Sequence, residues 1–319
     1  MTKPATPTTS LGQGPIARSV LSSARQLLRR NVVDLAAWRE AKIRAEDFDK
    51  TILSQEELSV YDPVHGMYIY GQNQLSVLIE QLAELPMLEP LTDAYAEAQD
   101  DYMPSGPPIS PLTKSYFCGW GYFDLHAGAH RETLGTVTIE LCKFFKVDAG
   151  LIRIFEIMQQ SRMGMYLHEG ISGRYVLFRE LITHREIRAI SPSGYHGRPG
   201  EIWFARVLPA PFDHEQLDYS VVFTTPYVAG KLKDKQTFSR MTEQDWVAYF
   251  ERNLDQTGFD DQELAYAFLM KYGLSRNYWN EYIFLAYLNH QPDMICLAGF
   301  PDMPSSLPHS KEGEARFGF

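Results

Sequence analysis

His126 and His130 stand four residues apart, and a helix over them would turn both imidazoles to one face, where a single metal ion could sit. Asp124 or Glu132 could complete such a set, and His168-Glu169 could add to it. The spacing is short of a signature, because HEXXH and its reversed forms are missing. His130-Arg-Glu132 also spells the H-x-E of zinc deaminases, but no P-C-x-x-C partner exists, so that chemistry is excluded. Cys118 offers a second chemistry. A thiol at a helix start can be activated as a nucleophile, with His168, His184 or His196 as a distant base. Its setting, Phe117-Cys-Gly-Trp-Gly-Tyr-Phe123, is apolar and aromatic, which favours a core thiol instead.

A third constellation is Ser193-Gly-Tyr-His-Gly-Arg-Pro-Gly200. It has neither the Lys-Ser/Thr of a phosphate-binding P-loop nor a following helix, and G-x-S-x-G is absent from the chain. Its glycines allow positive φ, and Tyr195, His196 and Arg198 could contact a partner or an anion. The arginines 174, 179, 185, 188 and 206 alternate with Tyr175, Phe178, Trp203 and Phe204, a mixture that suits RNA bases and phosphates. Neighbouring Glu180, Glu186 and Glu201 favour cross-strand ion pairing for those arginines.

Composition narrows the class. The 319 residues are 45% hydrophobic and 22% charged, ordinary for a soluble globular protein. Three cysteines at wide spacing make neither a disulfide framework nor a zinc finger, so a reducing cytoplasm is expected. No apolar run is long enough for a membrane span, and no secretory h-region follows the start. A net charge of −10 argues against nucleic-acid binding by the whole chain. The charge is uneven: residues 1–30 carry five basic side chains and no acidic one, and residues 162–206 carry seven basic against four acidic. The basic start suits a docking segment, and it also has the composition of an organelle transit peptide.

The elements that must position these groups are legible in outline. Residues 1–14 and 303–319 read as tails, and 15–102 as a helical N-terminal region with helices near 15–30, 34–48, 72–85 and 91–102. Tyr61-Asp-Pro-Val-His-Gly66 reads as a turn, and the proline-rich 103–111 as a linker. A central module over 112–230 begins with helices near 132–145 and 149–161. It continues with strands near 175–181, 186–190, 202–208 and 219–225, which predict a small antiparallel sheet or an open barrel. Helices near 243–254, 262–272 and 278–289 fill a C-terminal region, 231–302. The expected class is α+β, helical regions around a central module with a small antiparallel β-sheet.

The module from Ser115 to Tyr227 resembles a widespread bacterial protein family without an assigned activity. The carrying residues are Ser115-Tyr-Phe-Cys118, Tyr122-Phe-Asp-Leu-His126, Arg131-Glu-Thr-Leu-Gly135, Ser161-Arg-Met-Gly164, Gly194-Tyr195, Gly197-Arg-Pro-Gly-Glu-Ile-Trp203 and Val222-Phe-Thr-Thr-Pro-Tyr227. The resemblance covers about a third of the chain and implies a soluble bacterial protein, with no mechanism or catalytic residue attached. The leading expectation is a non-enzymatic accessory protein that docks a protein partner through the central module and needs no cofactor. The alternatives are a metal- or cysteine-dependent hydrolase using Cys118, His126, His130 and Glu132, with zinc on the histidines, and an RNA or small-anion binder using the sheet arginines.

Overall fold

The computed structural model describes residues 14–29, 55–83, 85–106, 109–233 and 237–301. The helix expected over 34–48 and the C-terminal tail lie outside these residues. So does the N-terminal tail, apart from Gly14, which is buried against Glu132.

Helix α1 (Pro15–Arg29) begins with proline at its first position, where the missing N–H is harmless. Its first turn is capped from far away. Both carboxylate oxygens of buried Glu132 accept from the helix start, Ile16 N at 2.9 Å and Ala17 N at 2.8 Å. An anion there also meets the positive end of the helix dipole. A single turn, α2 (Gln55–Leu58), precedes α3 (Pro63–Leu82). The turn expected at 61–66 is the start of α3: Asp62 caps it and Pro63 opens it. Helices α4 (Glu89–Tyr102) and α5 (Lys114–Phe123) follow. The two ends of the intervening proline-rich segment stay together, since Ser110 Oγ donates to Tyr102 O at 2.6 Å and both Tyr102 and Leu112 lie in one core.

A short hairpin, β1 (His126–Ala127) and β2 (Glu132–Thr133), leads into α6 (Leu134–Phe145) and α7 (Ala149–Gln160). The helix expected from 132 starts two residues later because Thr133 and Thr136 form a capping box.

Among the described residues the main sheet has nine strands. They are β3 (Met163–Ser172), β4 (Tyr175–Glu180), β5 (Glu186–Ile190), β6 (Ile202–Leu208), β7 (Ser220–Val222), β8 (Tyr227–Lys233), β9 (Thr237–Arg240), β10 (Tyr287–His290) and β11 (Ile295–Ala298). The order β6-β3-β4-β5-β7 closes on itself through a β7–β6 pairing, giving a five-stranded barrel. Its seams are antiparallel except β5–β7, which is parallel. The expected small antiparallel sheet is therefore corrected to a closed barrel with a sheet extension through β8, β11 and β10. Strand β3 opens on Met-Gly-Met and carries His-Glu-Gly before its last two residues, so its glycines and polar residues interrupt the apolar pattern that marks a strand. Strand β10 begins where a helix was expected to continue to 289. The helix α10 (Tyr278–Ala286) stops at 286 because Tyr287 pairs with Leu297. Helices α8 (Glu243–Asn253) and α9 (Gln262–Tyr272) complete the C-terminal layer. None of the described helices is long and apolar enough to cross a membrane.

Alternation along β6 sorts three cores. Trp203, Ala205 and Val207 fill the barrel with Tyr166, Phe178 and Val222. On the opposite face, Phe204 enters the core shared with α8, α9 and α10, and Leu208 enters the core of the N-terminal helices. Between them lies Arg206, 2% exposed. Its guanidinium pairs with Asp124 Oδ2, and Nη1 donates to Ser161 Oγ at 2.9 Å. Lys271 of α9 binds the other Asp124 oxygen at 3.0 Å and donates to the carbonyls of Gln159 (2.7 Å) and Ser161 (2.8 Å). Burial lowers the Lys271 pKa, but the Asp124 charge opposes this and three acceptors surround its three protons. Gly119 of α5 permits this arrangement, because a Cβ there would come within 3.3 Å of Arg206 Nε.

Two predictions follow from buried charge. Asp124→Asn leaves two buried cations without a counter-charge, so chemical denaturation is expected to show a loss of about 3–5 kcal/mol. Glu169→Gln, which removes an exposed partner of Arg179, is expected to cost less than about 1 kcal/mol. The second concerns acid. Burial alone would raise the Glu180 carboxyl, but Arg162 at 2.6 Å, Thr183 and Arg185 outweigh it and hold it below the usual carboxylate range. The stability this gives is complete above the unfolded glutamate value of about 4.3 and is lost as pH falls toward the lower folded value. Glu180→Gln should flatten that part of the acid-unfolding profile measured by circular dichroism.

Candidate functional site

The hairpin β1–β2 places His126 and His130 apart. Gly128 and Arg131 both adopt positive φ (68° and 49°) in its turn, which rules out the shared helical face expected for the two histidines. His130 is exposed, whereas His126 is half-buried with its ring 4.8 Å from that of Tyr272. Glu132 is committed to capping α1, and Asp124 to Arg206 and Lys271. Among the described residues no group of three His, Cys, Asp or Glu side chains could hold a metal ion. His126, His130 and Glu132 therefore do not form the metal set considered from the sequence.

Cys118 is 7% exposed on α5, where it contacts the hydroxyls of Tyr95 and Tyr122. Burial pushes its thiol up, against a smaller lowering by Lys114. The crevice beside it, lined by Gly119, Met158, Arg206 and Phe223, has no room for a water molecule. A nucleophile needs a thiolate and an approach path; burial disfavours the first at Cys118, and the packed crevice blocks the second. His168 lies inside the barrel end, its Nε2 at 2.8 Å from the carbonyl of His196.

The 194–200 loop caps that end of the barrel. Tyr195 turns inward: its ring lies 5.2 Å from Trp203, and its hydroxyl donates to Glu201 at 3.0 Å. Gly197 sits at φ +64° against Trp203, where a Cβ would fall 2.6 Å from the indole. The side chains of His196 and Arg198 are exposed. The sheet arginines are engaged as well. Arg174 pairs with Asp62 at 2.9 Å, Arg179 with Glu169 and Glu243, Arg185 lies 3.8 Å from Glu180, Arg188 donates to the carbonyl of Asp218, and Arg206 is buried.

A different set of residues surrounds open space. A cleft of about 600 Å³ lies between the β1–β2 hairpin and the segment joining α9 to α10. Its lining includes His126 and Arg131 from the hairpin, Phe268 and Tyr272 from α9, and Ser275 and Arg276 from the following loop. The Arg131 guanidinium sits 4.3 Å from the Phe268 ring centre and 5.1 Å from that of Tyr272. Left-handed backbone at an arginine is a costly conformation, and here it aims the side chain at those rings. Arg276 is exposed at the rim. Among the described residues neither arginine has a carboxylate partner. His126 Nδ1 is 3.0 Å from the carbonyl of Asp124. Burial lowers the imidazole pKa and the charges of Arg131 and Arg276 add to the lowering, against the Asp124 carbonyl and the Asp124 carboxylate charge.

Of this set only His126 stands out in the sequence by residue type and spacing. Arg131 stood inside a noted motif, but nothing in the sequence joins it to Tyr272 or Arg276, more than 140 positions away. No protein-family model, curated protein or solved structure matches the chain.

Thiol labelling of the folded protein should leave Cys118 and Cys142 unreacted, with Cys296, which is half-buried, the first to modify. Rapid labelling of Cys118 under native conditions would show access that the packed crevice denies.

Proposed function

We propose that this protein binds a small oxyanion-bearing ligand in the cleft between the β1–β2 hairpin and the α9–α10 segment. The observation that carries the reading is the pair Arg131 and Arg276 facing a 600 Å³ space without a carboxylate partner among the described residues. The size falls within the range of small-molecule sites, roughly 300–1,000 Å³, and the lining has the usual mixture of aromatic surface and a few polar groups. Arg131 is held by two rings, so its planar donor fork is ordered before a ligand arrives. Phosphate and carboxylate groups both match such a fork.

Partner docking through Tyr195, His196 and Arg198 has less support, since Tyr195 packs inward on Trp203 and Glu201. RNA binding through the sheet arginines is weakened by the internal partners of those arginines.

Calorimetric titration with inorganic phosphate and with malonate tests the reading. At least one should bind saturably, and Arg131→Ala and Arg276→Ala should each weaken binding by about tenfold or more, as for a lost charged hydrogen bond. Thermal midpoints should move little for exposed Arg276. Absence of binding by both anions, or binding indifferent to both substitutions, would remove the reading.

A further inference from the structure

We infer that the ligand of this cleft carries a hydrogen-bond donor, a hydroxyl group beside its oxyanion, which it offers to Nε2 of His126; phosphorylated polyols are the class that fits. The inference rests on the cleft reading above and adds to it. A carbonyl oxygen only accepts, so the 3.0 Å contact with Asp124 O fixes the hydrogen of the neutral ring on Nδ1. Nε2 is then a bare acceptor. It has no protein partner among the described residues and is not among the buried unpaired atoms, so it is open to the cleft that His126 lines.

The surroundings disfavour the charged ring. Arg131 and Arg276 are the nearest charges in the cleft, and both oppose a third cation. Tyr272, which meets the ring edge-on at 4.8 Å, is uncharged at neutral pH, its hydroxyl pushed up to about 12 by burial and by Asp124. The Asp124 carboxylate favours an imidazolium, but Arg206 and Lys271 sit on its oxygens, and burial with the two arginines outweighs it. A fully ionised anion alone offers Nε2 no hydrogen to accept, whereas a hydroxyl on the same ligand does. The cleft also has volume well beyond an inorganic anion, with Phe268, Tyr272 and Leu274 able to cover a short carbon chain.

Glycerol 3-phosphate and n-propyl phosphate test this as a matched pair, alike in charge and chain length and different only in hydroxyls. Calorimetry at neutral pH should give at least tenfold tighter binding of glycerol 3-phosphate. His126→Phe should abolish that preference, weakening glycerol 3-phosphate far more than n-propyl phosphate. In the unmodified protein, the ratio of the two affinities should fall as pH drops through the His126 titration, followed by its ring signals in NMR. Both phosphates take up a proton in the same pH range, so the ratio is compared for the dianions, using each compound's own titration; if His126→Phe does not fold, this corrected pH profile decides the question. Equal binding of the two phosphates, or a preference that grows on acidification, would overturn the inference while leaving the cleft reading standing. If neither phosphate compound binds, the inference fails; if inorganic phosphate and malonate fail to bind as well, the cleft reading itself falls.

Discussion

The buried contact of Asp124 with Arg206 and Lys271 is the constraint on which the arrangement of layers depends. Asp124 ends an N-terminal helix, Arg206 belongs to the strand shared by the barrel and both helical cores, and Lys271 belongs to the C-terminal layer. Each charge would be costly alone in an apolar interior, where removing one partner leaves the others unpaired. Packing of apolar side chains tolerates small slips between layers. Three charges with fixed acceptors do not, so the triad sets how the hairpin after Asp124 stands relative to α9 after Lys271. The two segments that frame the cleft start from that point.

The hairpin carries opposing tasks on adjacent residues. Glu132 faces inward and accepts from the first amides of α1, while Arg131, in the left-handed region, faces outward over Phe268 and Tyr272. Two neighbouring residues in a regular strand already point to opposite faces; the positive φ at Arg131 adds the turn that brings its guanidinium onto the rings. Docking of α1 and the shape of the cleft are thus built on the same four-residue turn.

Elsewhere, polar residues that look chemical by type are consumed by structure. Cys118 fills space between Tyr95 and Tyr122. The 194–200 loop plugs the barrel with Tyr195 and offers the His196 carbonyl to His168. Aromatic density in this chain reflects close ring contacts in its cores, such as Phe204 with Trp279 at 5.0 Å and Phe178 with Trp203 at 5.0 Å.

Local signals determined much by themselves. The α+β class, the helices near 149–160, 243–253 and 262–272, and strands β4, β5 and β6 follow from apolar period, caps and turn residues, which act over a few positions. The closure of the barrel did not, because it depends on β3, whose glycines and histidine hide its strand character, and on the parallel seam of β5 with β7, thirty residues apart. The fates of His126 and Glu132 were equally out of reach. Both follow from a hairpin turn whose geometry rests on a non-glycine residue with positive φ, and on an amide-bearing helix end over 110 positions upstream. Residue types and their short-range order specify which groups could do chemistry. Which of them face solvent together is settled by long-range packing and buried charge, where contacts between distant segments outweigh local preference.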